Sequence, residues 1–195
     1  MRRSHTLLAL ILTLLFSGSS HAAAEKYSID PAHCHIGFSV KHLVINNIKG
    51  RFTDYSGLIL YDEQDVAKSS VEITIKAASI NTDVKARDNH LRSADFFDVA
   101  KFPDITFKST RIEKRGKGFV AIGMFTMRGV SKEIALPFSI NGKSNFQGGT
   151  HLGVEAAVVI DRRDFGMTWS ATLDTGGLVV GNDVTIDLNI EAVKK

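Results

Sequence analysis

The run VTIDLNIEAV, residues 184–193, alternates apolar and polar side chains, with Val184, Ile186, Leu188 and Ile190 on one side and Thr185, Asp187, Asn189 and Glu191 on the other. Successive side chains of a strand point to opposite faces, so this segment buries one face of a sheet and wets the other. The same period recurs upstream. Val71, Ile73 and Ile75 oppose Glu72, Thr74 and Lys76, and Ile134, Leu136, Phe138 and Ile140 face away from Glu133 and Ser139. Strands are read near Cys34–Val44, Arg51–Tyr61, Val71–Ala77, Ile105–Glu113, Phe119–Met127, Lys132–Ile140, Gly153–Asp161 and Val184–Val193. Joined mostly by short turns, they predict an all-β fold, an eight-stranded antiparallel up-and-down barrel.

Two segments depart from period two. Around 84–97, Val84, Leu91 and the Phe96-Phe97 pair suit a helix or 3₁₀ turn that closes one barrel end. Around 166–182, glycines and Trp169 suit a long loop with one helical turn. The strand from Phe119 to Met127 is apolar on both sides, with Val120, Ile122 and Met124 opposite Phe119, Ala121, Phe125 and Met127. Its outer face therefore calls for cover, by the helical segment or by a second subunit. The inward faces are Ile, Val, Phe and Leu, so the interior is either an ordinary packed core or a cavity for a mainly apolar ligand.

Arg2 and Arg3 precede an apolar run, Leu7 to Phe16, and then the small residues Ala22-Ala23-Ala24. This reads as a secretory signal over 1–24, cleaved to start at Glu25 or Ala23, because a membrane span needs ~20 apolar residues. A single barrel domain over 25–195 in the periplasm is expected. Without the two signal arginines the formal charge falls from +3 to about +1, and no Lys/Arg run marks a nucleic-acid surface. Cys34 is the lone cysteine, so no internal disulfide can form.

Several stretches resemble the YceI-like family of exported lipid-binding barrels: Arg87 to Thr110 (RDNHLRSADFFDVAKFPDITFKST), Gly123 to Gly142, Gly153 to Trp169 and Thr175 to Lys194, with Asp30 to His33 and Gly37 to His42 before them. The resemblance implies a lipocalin-like barrel that holds a polyisoprenoid or isoprenoid-quinone-type lipid in a tubular cavity, with the head near the mouth. Arg87, Asp88, His90 and Arg92 match the charged part of the family signature and are the expected head-group contacts, since guanidiniums bond phosphate or quinone oxygens. The bland alternative is that Asp88 and Arg92, at i and i+4, pair on a solvated helix face. Phe38, Ile73, Phe125, Phe138 and Ile186 are expected in the cavity wall. The resemblance also favours a homodimer. No cofactor is expected beyond the lipid as ligand, and release of a tail would need a transient contact with a membrane or partner.

Two rival readings stand beside this one. A lipid-directed hydrolase or redox enzyme would use Cys34 and His35, or Asp88 and His90, for thiol or acid–base chemistry; a structural or stress-responsive envelope protein would carry no ligand. His33 and His35 share a strand face if that segment is extended, yet a metal site needs three or four ligands, and none is expected here. Asp174-Thr175-Gly176 resembles an aspartic-protease triplet, Asp164-Phe165-Gly166 a kinase magnesium motif and Gly142-Lys143-Ser144 the end of a P-loop. Each lacks the companion motif its chemistry requires.

Overall fold

The computed structural model describes residues 24–195 apart from 173 and 175; the segment read as a signal peptide lies outside them but for Ala24. The chain forms strands β1 (Glu25–Ile29), β2 (His35–His42), β3 (Asn46–Phe52), β4 (Tyr55–Tyr61), β5 (Ser70–Lys76), β6 (Ile80–Asn81), β7 (Asp104–Arg115), β8 (Gly118–Met127), β9 (Val130–Phe146), β10 (Gly149–Asp161) and β11 (Val180–Lys194), with one helix, α1 (Lys85–Arg92). β1 and β2 are two halves of one bent wall strand, as are β3 with β4 and β5 with β6, so the wall is an eight-stranded antiparallel barrel. β1 closes it, bonding β4 on one side and β11 on the other.

The first wall strand therefore starts at Glu25, nine residues before the sequence pattern placed it. A 3₁₀ turn, Pro31–His33, interrupts the alternation there; Pro31 sits where no N–H is needed, and Asp30 caps the turn by accepting from the Ala32 N–H at 3.1 Å. The β9–β10 hairpin also runs longer than its apolar residues indicate. Its outer part, residues 141–151, is a polar ribbon wetted on both faces and carries no alternation to read. The helical turn expected inside 166–182 lies just before it, at Arg162–Phe165. It stops at Gly166, whose φ of 73° suits glycine and whose N–H returns to the Arg162 and Arg163 carbonyls.

Apolar inner faces of all the walls form one large cluster, and α1 with the following segment lies against one end of it through Leu91, Phe96 and Phe97. The opposite end is plugged by a second cluster of Tyr27, Tyr61, Leu152 and Ala192. On the doubly apolar β8, Val120 and Ile122 are buried within one chain while Met124 is 40% exposed. Their neighbours on the outer face are Glu113 and Arg111 of β7 and Pro137 and Ala135 of β9. Arg111 lies along that face, bonded to Glu113 at 2.9 Å and reaching Glu133 at 3.7 Å, so its aliphatic stem shields apolar surface.

Candidate functional site

The barrel is not filled. A cavity of about 130 Å³ occupies the half under α1, and a second of about 60 Å³ the half toward the tyrosine plug. Ile73, Leu136 and Leu188 line both, so they stand between two chambers that follow one another along the barrel. Phe38, Phe125 and Ile186 line the larger chamber, Phe138 the smaller, and Ile73 both. These positions follow from period two: β11 contributes Val184, Ile186, Leu188 and Ile190 to the tunnel while Thr185 and Asn189 stay exposed. Phe119 stacks on Phe138 at 5.5 Å and Phe125 meets Phe165 edge-on at 5.3 Å, which fixes the wall aromatics.

Arg162 is the one charged residue among the described lining residues, and it is 3% exposed. Its guanidinium makes no ion pair in the described structure. Nε donates to the Gly181 carbonyl at 2.8 Å, Nη1 to those of Met167 (2.7 Å) and Trp169 (2.8 Å), and Nη2 to that of Val180 (3.2 Å) and to Asn182 Oδ1 at 3.5 Å. Burial lowers its pKa, yet a guanidinium remains charged. The side chain gathers the 166–182 loop around itself and gives the chamber a firm end. Arg128, at the β8–β9 turn, works in the same way: it donates to the Gly166 carbonyl at 2.6 Å and to the Ala94 carbonyl at 2.8 Å, joining the loop to the segment after α1.

The four signature residues sit together on α1, and their polar atoms are engaged with the chain itself. Arg87 donates to Thr82 Oγ1 and to the Thr82 carbonyl, both at 2.8 Å. Asp88 is buried and accepts from the Thr82 N–H (2.9 Å) and hydroxyl (2.5 Å). Arg92 donates to the carbonyls of Ala78 and Ile80 at 2.7 Å. His90 bonds Asp95 at 2.9 Å, with its ring edge-on to Phe96 and Trp169. None of the four lines either chamber; they pin α1 to the turn before it and so hold Leu91 over the larger one. Asp88 and Arg92 do not pair with each other on the helix face.

Cys34 Sγ packs at the rim of the core, donating to the Glu191 carbonyl at 3.2 Å and accepting from the Glu191 N–H at 3.1 Å. Burial pushes its thiol pKa up, which disfavours the thiolate. His33 and His35 do not converge, because His33 belongs to the 3₁₀ turn. His33 bonds Asp30 at 2.8 Å, and His35 lies 3.4 Å from Asp187 on the outer face. Sequence reasoning passed over Arg162 and Arg128. The signal was an Arg-Arg pair directly after a buried strand end, where one side chain has to turn inward.

The chain is similar to a UPF0312 protein of Photorhabdus laumondii, 39% identical over 163 residues, spanning 82% of this chain and 85% of the relative. Its fold superposes on the crystal structure of the Campylobacter jejuni YCEI protein with a TM-score of 0.68, at 36% identity, covering 80% of this chain and 90% of that one. It also superposes on a polyisoprenoid binding domain from Saccharophagus degradans, TM-score 0.64 at 16% identity, covering 89% of this chain and all of that domain, a likeness of fold alone. The model of the YceI-like domain matches residues 27–192, from within β1 to within β11, and the chain belongs to that family.

Proposed function

We propose that this protein is an exported binding protein that holds the tail of a polyisoprenoid or isoprenoid-quinone-type lipid in its two-chambered tunnel. One observation carries the reading: two chambers lie end to end inside the barrel, sharing Ile73, Leu136 and Leu188, with walls mainly of aliphatic side chains and phenylalanine. An ordinary core leaves few voids larger than a water molecule, whereas this one keeps two adjoining ones of about 130 and 60 Å³, which a tail passing between Ile73, Leu136 and Leu188 would fill as one bore. Such a bore suits a long, thin, apolar ligand. Each buried methylene contributes ~0.8 kcal/mol, so even a partly enclosed tail is firmly held. The likeness of fold to a domain described as polyisoprenoid binding supports the same reading.

The protein acts by sequestering and carrying this tail, not by transforming it. Cys34 is engaged by the Glu191 backbone, His90 by Asp95 and Asp88 by Thr82, which fits structural roles for the residues a lipid-directed enzyme would use. Arg87 and Arg92 serve the head group indirectly, by fixing the helix beside which it rests. The test compares neighbours on β9. Phe138→Glu places a charge in the tunnel wall, while Ser139→Glu places it on the exposed face of the same strand. A charge in a dry wall is costly, so the first variant should copurify without lipid and the second should retain it. Lipid retained equally by both variants would overturn the proposal.

A further inference from the structure

The β2–β3 hairpin carries a tip that water alone does not explain. Val44 is 60% exposed and Ile45 83% exposed, at the end of a tight turn in which the Ile45 N–H bonds the His42 carbonyl at 3.2 Å. The turn holds Leu43 at φ 52° and Val44 at φ 64°. Hairpin turns of this hand favour Asn-Gly, and a β-branched residue at positive φ is an outlier. Here strained backbone displays large apolar side chains. The tip also has a fixed address: the Leu43 N–H donates to the Val179 carbonyl at 2.9 Å, next to the exposed Leu178, and His42 pairs with Val180. Val40 and Val180 line the larger chamber, so the tip stands at that chamber's end.

Behind the tip, Lys41 of β2 and Lys49 and Arg51 of β3 are exposed on the outer face of the same ribbon, opposite Asn47, Ser39 and Gly37. None of them forms an ion pair among the described residues, and the neighbouring Asp187 lies beside His35. An apolar point backed by an unpaired basic collar matches the layered chemistry of a membrane surface, hydrocarbon beneath anionic phosphate. A point of four apolar side chains offers far less than the ~800 Å² per partner that a stable protein interface buries.

We propose that Leu43, Val44, Ile45 and Leu178 enter the surface of a bilayer bearing anionic headgroups, with Lys41, Lys49 and Arg51 against the phosphates. The end of the larger chamber then lies against the lipid from which a tail enters or to which it returns. This docking surface rests on the tail-binding reading for its purpose, but not for its measurement.

The test is co-sedimentation of the exported chain with vesicles of phosphatidylcholine alone or of phosphatidylcholine mixed with phosphatidylglycerol. Binding should require the anionic lipid and weaken as salt is added. Ile45→Ser removes a side chain with little packing to lose, and should reduce vesicle binding about tenfold at an unchanged melting temperature. Leu43→Asn with Val44→Gly should reduce it at least as much while raising the melting temperature, because the turn gains its favoured residues. Lys41→Gln and Lys49→Gln should each cost about fivefold. Lipid retained in the tunnel should be the same in every variant, which separates loss of docking from loss of tail binding. Wild-type protein that ignores anionic vesicles, binds neutral ones equally, or binds undiminished after Ile45→Ser would overturn the proposal.

Discussion

Closing the neck should set the length of tail the protein accepts. Leu136 reaches both chambers, and Leu136→Trp fills the passage from the β9 side while leaving both end walls in place. The smaller chamber, about 60 Å³, holds roughly four to six methylene-sized groups at the ~10–15 Å³ that a water-sized occupant requires. At ~0.8 kcal/mol each, those groups contribute about 3–5 kcal/mol to a tail that crosses the neck. The variant should therefore weaken a long isoprenoid a hundredfold or more and leave a short one, seated in the larger chamber, nearly unchanged. Competition against a fluorescent tail analogue, run with short and long isoprenols, reads both affinities. Overpacking costs ~1–3 kcal/mol of stability, so a melting curve must show the variant folded. Equal losses for both lengths would indicate a damaged barrel, and an unchanged long-chain affinity would mean that no tail passes between Ile73, Leu136 and Leu188.

Arg162→Ala should take a donor from the carbonyls of Gly181, Met167, Trp169 and Val180, of which Val180's keeps the Ser170 hydroxyl at 3.4 Å; at about 1–3 kcal/mol for each group left unpaired, a loss of ~3 kcal/mol or more is expected, a fall of roughly 6–12 °C in melting temperature by calorimetry. An unchanged melting point would show that the loop does not depend on this side chain. Acid should loosen the barrel where β1 meets β11: hydrogen bonds from Lys194 and then Tyr27 hold the Glu25 carboxyl down at about 2. A depressed carboxylate contributes fully above its unfolded value near 4.5 and loses that contribution as the pH falls toward 2, so Glu25→Gln should flatten the stability profile across that window. An identical slope in both proteins would refute the assignment. Cys34 should react with iodoacetamide at neutral pH far more slowly than free cysteine, and labelling at the free rate would contradict its burial beside Glu191.

The barrel was legible wherever one face of a strand is dry. Val184 to Ile190, Ile134 to Ile140 and Val71 to Ile75 all line the tunnel as their alternation indicates, since burial of one face writes period two into the residues. It was illegible where that asymmetry fails. Glu25–Ile29 is short and cut off by Pro31–His33, and the far end of the β9–β10 ribbon is wet on both sides. The aromatic and aliphatic wall could be named in advance because it follows from the same alternation. The arrangement of charges could not. Which carbonyls Arg92, Arg128 and Arg162 reach depends on how the turn before α1, the segment after it and the loop after Arg162 fold at one barrel end.

The central claim, a tail held in the two-chambered tunnel, is tested most directly by purifying the protein from its native cells without detergent, extracting it with organic solvent and identifying the extract by mass spectrometry. One isoprenoid-tailed lipid in near-equal amount to the protein, missing from a Phe138→Glu preparation made in parallel, is the predicted result. An extract with no stoichiometric lipid, or with the same lipids from both preparations, would contradict it.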